Sequence, residues 1–199
     1  MIKIPVILFN ILNQNFYTMK IRIFLFTLLF LIQAAQAQKF VCKNGHVWFY
    51  SHTPIEDIEA HNNQVVSILD ATTGDLAINL LVKAFEFKKA VMQEHFNENY
   101  MESDKYPKST FKGKTINLDK INFKQDGIYP AEVSGDITIH NVTKPITTKG
   151  TIEVKGGTIT AKAEFIALPK DYNIDIPSVV EKNIAKEIEV NLDATYLTN

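Results

Sequence analysis

Alternation of apolar and polar positions dominates the C-terminal half of the chain. Val133, Gly135, Ile137 and Ile139 alternate with Glu132, Ser134, Asp136, Thr138 and His140. Ile146, Thr148, Gly150, Ile152 and Val154 do the same against Thr147, Lys149, Thr151, Glu153 and Lys155. The pattern continues through Ile159, Ala161, Ala163 and Phe165, and again through Ile188, Val190, Leu192, Ala194 and Tyr196. Each run predicts a β-strand with one dry face and one wet face. Gly156-Gly157 predicts a tight hairpin turn between two of them.

The earlier pattern is less regular. Residues 46–52, 64–70 and 75–82 are rich in β-formers, with Thr73-Gly74 as a turn between the last two. Residues 114–124 alternate through Ile116 and Leu118, then resume out of phase on Ile121 and Phe123, which predicts a strand bent near Asp119-Lys120. Two segments break the β pattern. Met92, Phe96 and Tyr100 recur at helical spacing, opposite Gln93, Glu94, Asn97 and Glu98, which predicts a short amphipathic helix within 88–101. Ser178 stands as a cap before a second short helix over 179–186.

Sequential one-sided strands joined by short turns pair antiparallel. Their dry faces must then meet one another. The fold class is therefore all-β with one or two short helices. Closure into a barrel buries the dry faces and removes exposed edges; a two-sheet sandwich also satisfies the periodicity. The dry face contains Gly135, Thr148, Gly150, Ala161, Ala163 and Ala194 among its larger members. Small inward residues in a barrel of about eight strands leave room for one apolar ligand. They also let large residues opposite them (Phe85, Phe87, Phe111, Phe123, Phe165) pack into a solid core, and both readings stand at this point.

The N-terminal part has a different character. Lys20 and Arg22 precede an apolar run from Ile23 to Ile32, and Ala35-Gln36-Ala37 supplies a small-x-small cleavage pattern. Residues 19–37 are read as a signal peptide, and 1–18 as a mis-assigned N-terminal extension before it. The apolar run is short for a permanent anchor, so no stable transmembrane anchor is expected after cleavage. The domain then occupies 38–199. The first 37 residues hold three of the 21 basic residues and none of the 22 acidic ones, leaving 18 basic against 22 acidic and a net charge of −4. A mildly acidic domain speaks against nucleic acid as a partner. Cys42 is the only cysteine, so no intramolecular disulfide forms, and it lacks the small residues ahead of it that lipidation needs.

Catalytic and metal signatures are missing from the sequence. His46, His52, His61, His95 and His140 show no close zinc-site spacing, and there is no Gly-x-Ser-x-Gly elbow or phosphate-binding loop. The sequence therefore offers no catalytic residue and no metal ligand set. Asn141-Val142-Thr143 matches a glycosylation sequon, but its place in a hairpin turn argues against weight on it.

One stretch is more specific. Residues 92–103 (MQEHFNENYMES), then Lys105-Tyr106-Pro107-Lys108-Ser109-Thr110-Phe111, then Ser134-Gly135-Asp136-Ile137-Thr138-Ile139-His140-Asn141-Val142-Thr143-Lys144-Pro145-Ile146-Thr147 resemble the YceI-like family. The shared pattern is a helix ending in a Tyr-Pro-x-x-x-Phe strand start, followed by a hairpin with Val-Thr-Lys-Pro. The resemblance covers about 85–168 well and the last strand loosely. Asn141 stands where the family usually has Gly, a mild change because Asn tolerates turn geometry.

The resemblance implies a lipocalin-like antiparallel barrel and an exported bacterial protein, in the periplasm or, alternatively, secreted. It also implies an amphiphilic lipid ligand, a polyisoprenoid or a quinone-like lipid, held in the barrel with no other cofactor. The expected role is non-enzymatic binding or carriage. Phe85, Phe87, Met92, Phe96, Phe111, Ile137, Ala161, Ala163 and Phe165 are the expected lining residues, chosen by alternation. Two other readings remain open here: a solid-core module docking to an envelope partner, and an enzyme acting on lipid. The oligomeric state is open too.

Overall fold

Eight long strands close on themselves in the computed structural model, which describes residues 38–196. The expected extension and signal peptide, and the last residues after Tyr196, lie outside the described residues. In chain order the elements are β1 (Lys39–His52), β2 (Asp57–Asp70), β3 (Asp75–Leu81), the two-residue β4 (Glu86–Phe87), helix α1 (Ala90–His95), β5 (Lys108–Thr115), β6 (Gly127–Ile139), β7 (Val142–Lys155), β8 (Thr158–Ala167) and β9 (Ile188–Tyr196). The sheet runs β1-β9-β8-β7-β6-β5-β3-β2, every pair antiparallel, and β1 pairs with β2 to close the ring. β4 adds to the edge of β2 beside Ala60 and His61. The architecture is an antiparallel barrel with one short helix. Among the described residues no helix is long and apolar enough to cross a membrane.

Both predicted glycine turns form, with Gly74 at φ +78 and Gly156 and Gly157 at φ +56 and +81. Asn141 sits in the β6–β7 turn at φ +61 after His140 at φ +49. That is the geometry for which Asn substitutes for Gly.

Four expectations are corrected. β1 and β2 begin well before residues 46 and 64. β1 carries register shifts between Cys42 and Val47 that break its alternation. In β2 the polar run hides Asn62, which is fully buried: its Nδ2 donates to the Leu81 carbonyl at 2.8 Å and its Oδ1 accepts from the Gln64 amide at 2.9 Å. A buried amide with its hydrogen bonds met costs little, so a strand that reads as polar still faces inward.

Residues 114–124 are not one strand. β5 ends at Thr115, and Asn117 then clamps the chain in a turn, donating to the Pro130 carbonyl at 3.0 Å and accepting from the Glu132 amide at 2.8 Å. Ile121 and Phe123 continue into one end of the barrel as a plug. The predicted second helix is also absent: 178–183 form consecutive turns, with Val180 N bonded to the Pro177 carbonyl and Asn183 N to the Val180 carbonyl. The remaining helix is shorter than 88–101. It runs Ala90–His95 and widens into a π-turn over Phe96–Tyr100, where the Met101 amide reaches back to the Phe96 carbonyl at 2.8 Å.

Candidate functional site: an apolar lumen in the barrel

The interior has a solid end and a hollow end. At the solid end Phe40, Cys42, Leu69, Ile121, Ala131, Ile152, Val154, Ile159, Ala194 and Tyr196 pack into one cluster, with Phe123 and Tyr129 against it. Tyr196 is fully buried, and its hydroxyl shares a 2.6 Å hydrogen bond with the Ser67 Oγ. Burial pushes the Tyr196 phenol up to about 12, so it remains an O–H group. Burial likewise raises the Cys42 thiol, which makes it an inert core residue.

Beyond this floor lies a cavity of about 540 Å³, within the range that holds a small lipid-sized ligand. Val47 and Phe49 of β1, Leu76, Ile78 and Leu80 of β3, Val133 and Ile137 of β6, and Val190 and Leu192 of β9 form much of its wall. A second core cluster built on Val47, Ala60, Val65, Leu80 and Phe85 backs that wall on one side. Phe96 seats α1 in an aromatic cluster, with ring centroids 5.6 Å from Phe49, 5.6 Å from Phe85 and 5.0 Å from Phe87. These are attractive offset and edge contacts. They fix the helix over the barrel, and Met92 on the same helix faces the cavity.

Of the expected lining residues, Phe85, Phe87, Met92, Phe96, Phe111, Ile137, Ala163 and Phe165 do line the cavity. Ala161 does not: it packs against the solid end, two positions too far along β8. Nor are the small inward residues the main source of the hollow. A Cβ on Gly135 would lie 2.4 Å from the Gly113 Cα, and one on Gly150 would lie 2.1 Å from the Lys162 carbonyl oxygen. Those glycines permit close strand approach. Of the six, only Thr148 and Ala163 face the cavity.

The mouth is covered by a segment that alternation did not identify. Residues 168–187, between β8 and β9, bring Ile174, Ile176, Val180 and Ile184 over the opening. Glu56, in the β1–β2 turn, ties that segment to α1. It accepts from Lys89 Nζ at 3.0 Å, ahead of α1, and from Asn183 Nδ2 at 3.3 Å. Those two hydrogen bonds hold its carboxyl below the usual carboxylate range. The Ala185 amide adds a 2.8 Å bond to the buried Ser51 Oγ. On the other side His140 is 8% exposed and stands between two acceptors, the Tyr172 carbonyl at Nδ1 and the Glu102 carboxylate at Nε2, both at 3.0 Å. The ring of Tyr106 meets it edge-on at 4.6 Å. The alternating Ile174 and Ile176, followed by Val180 and Ile184 at helical spacing, were the available signal for this cover.

Acidic and basic side chains in the lining are few: Glu56, Lys89 and His95. Among the described residues no group of three or more His, Cys, Asp or Glu side chains is placed to hold a metal ion. On the outer wall His46 Nε2 lies 3.0 Å from His61 Nδ1, away from the cavity. The arrangement can hold an apolar chain by burial and can orient a weakly polar end at the mouth.

Residues 39–196 match the model of the YceI-like domain. No curated protein sequence matches the chain. Among solved structures, a polyisoprenoid binding domain from Saccharophagus degradans, implicated in plant cell wall breakdown, superposes with a TM-score of 0.71 at 11% identity, covering 82% of this chain and all of that one. Burkholderia cenocepacia BcnA gives 0.63 at 14% identity, covering 76% of this chain and 95% of that one. A Campylobacter jejuni YceI protein gives 0.51 at 15% identity, covering 84% and 88%. At such identities the likeness is one of fold. With the family model spanning the whole described barrel, the chain belongs to the YceI-like family.

Proposed function

We propose that this protein binds and carries one long apolar lipid, of polyisoprenoid or quinone-like type, inside the barrel. The observation that carries the reading is the roughly 540 Å³ cavity with an almost continuous wall of Phe, Ile, Leu and Val. Burial of a chain there is favourable by about 0.8 kcal/mol per CH₂. The structural neighbour described as a polyisoprenoid binding domain supports the same class of ligand. The solid-core alternative needs a filled lumen, and the cavity speaks against it.

The role is carriage without a chemical step. Ser51, Glu56, Lys89 and Asn183, polar residues of the lining, are engaged in tying the cover to neighbouring segments. The mature chain from Gln38 acts outside the cytoplasm, most simply in the periplasm, as the leader pattern before it suggests; N-terminal sequencing of protein from the periplasmic fraction tests this. For the binding itself, delipidated protein is titrated with a fluorescent, uncharged isoprenoid-alcohol probe. Saturation near one probe per chain, reversed by an unlabelled isoprenoid alcohol, is expected. A folded protein that takes up no probe would sink the proposal.

A further inference from the structure

We infer that the lumen selects by length and by charge: it accepts a single chain of about four isoprene units with an uncharged head. This rests on the lipid-carrier reading and makes it narrower.

Length follows from volume and from the two ends. A methylene group needs about the room of one water molecule, whose share of liquid volume is ~30 Å³, so 540 Å³ accommodates about 18 chain carbons. The chain cannot run further inward, because Phe40, Ile152, Ile159 and Tyr196 fill the floor completely. At the mouth, the Glu56 bonds to Lys89 and Asn183 and the Ser51 bond to Ala185 draw the cover down. Carbons beyond the limit stay outside, so relative to a reservoir that shields the whole chain each methylene left in water lowers retention by about fourfold.

Charge follows from the lining. A buried phosphate or diphosphate needs cationic or N–H partners to offset its lost hydration. Only Lys89 and His95 among the lining residues can carry positive charge, and the Lys89 ammonium is already matched by Glu56 at 3.0 Å. The remaining polar lining groups are neutral, among them Ser109, Thr110, Asn191 and two tyrosines, Tyr100 and Tyr172. Burial raises both phenols, which keeps them as O–H donors. Such groups suit an alcohol, a ketone or a quinone oxygen.

The test is a competition on the delipidated mature chain. Farnesol, geranylgeraniol, solanesol and geranylgeranyl diphosphate are presented together from cyclodextrin, and the lipids retained by the re-isolated protein are quantified. Geranylgeraniol is expected to exceed farnesol, solanesol and its own diphosphate by about tenfold or more, because each rival forfeits several methylenes or an ion's hydration. Retention of solanesol equal to or above geranylgeraniol overturns the length limit. Retention of the diphosphate equal to or above the alcohol overturns the charge rule. In either case the carrier reading survives, whereas no retention of any of the four sinks that reading and this inference together. Glu56→Gln provides a second readout. By freeing the Lys89 charge it is expected to shift the diphosphate-to-alcohol ratio upward by about fivefold or more, with the thermal midpoint recorded as the control for folding. An unchanged ratio in a folded variant overturns the role given to Glu56.

Discussion

Placing leucine at Ala163 separates a hollow barrel from a filled one, because stability and affinity then move in opposite directions. Ala163 lies on β8 between Gly150 of β7 and Leu192 of β9, and its side chain faces the cavity. Leucine adds three carbons to a space of about 540 Å³. In the empty protein those carbons become buried, worth ~2.4 kcal/mol at ~0.8 per carbon. Lost rotamer freedom removes about 0.5–1 kcal/mol of that. A net gain of roughly 1–2 kcal/mol raises the thermal midpoint by about 2–4 °C per kcal/mol in a domain of this size. The same carbons displace three methylenes of the ligand, so affinity for a chain that fills the lumen falls by ~2.4 kcal/mol, about fiftyfold. Calorimetric melting of the empty protein and lipid competition read the two effects. A lower midpoint with unchanged affinity would refute the reasoning, since adding carbons to a filled core costs about 1–3 kcal/mol.

Three further outcomes follow from the geometry. Tyr196→Phe leaves the buried Ser67 hydroxyl unmet and Ser67→Ala leaves the Tyr196 hydroxyl unmet; each is expected to cost about 1–3 kcal/mol, with the double variant less destabilised than the sum, as chemical denaturation will measure. Gly150→Ala forces a Cβ to within 2.1 Å of the Lys162 carbonyl oxygen and is expected to cost about 1–3 kcal/mol or more by the same measurement. Glu102 is held below its ordinary value of 4.5, first by the His140 hydrogen bond; the stability it contributes is therefore present above the usual carboxylate range and lost as pH falls through its lowered folded value. Melting curves of wild type and Glu102→Gln should accordingly differ at neutral pH and converge in acid; a gap that widens on acidification would contradict the sign.

The late strands were legible because they obey one rule without interruption. β6, β7, β8 and β9 alternate cleanly, and their registers match that alternation pair by pair. β1 and β2 were read short because their inward positions include polar groups and a bulge. Asn62 faces inward with its Oδ1 met by the nearby Gln64 amide and its Nδ2 by the distant Leu81 carbonyl, and no local pattern announces that second partner. Ile121 and Phe123 carried a strand-like signal yet close the barrel floor, since hydrophobic periodicity reports burial and is silent on what does the burying.

The site shows the same division. Eight of the nine expected lining residues face the cavity, because a barrel turns its dry face inward and α1 with the π-turn after it lays Met92 and Phe96 against it. Ala161 was misplaced because alternation assigns a face and says nothing of depth along the barrel. The small inward residues left two readings open, and Gly135 and Gly150 act in a third way, bringing neighbouring strands together. The cover over 168–187 and its tie through Glu56 depend on contacts between distant segments.

The central claim is that the lumen holds an apolar lipid, and the most direct measurement is the mass of what it holds. Protein purified from a bacterial envelope without detergent is weighed intact by native mass spectrometry, then extracted with organic solvent and the extract identified. The account predicts one isoprenoid or quinone-like molecule per chain. A protein that is reproducibly empty, or one that carries only mixed phospholipids below one per chain, would contradict it.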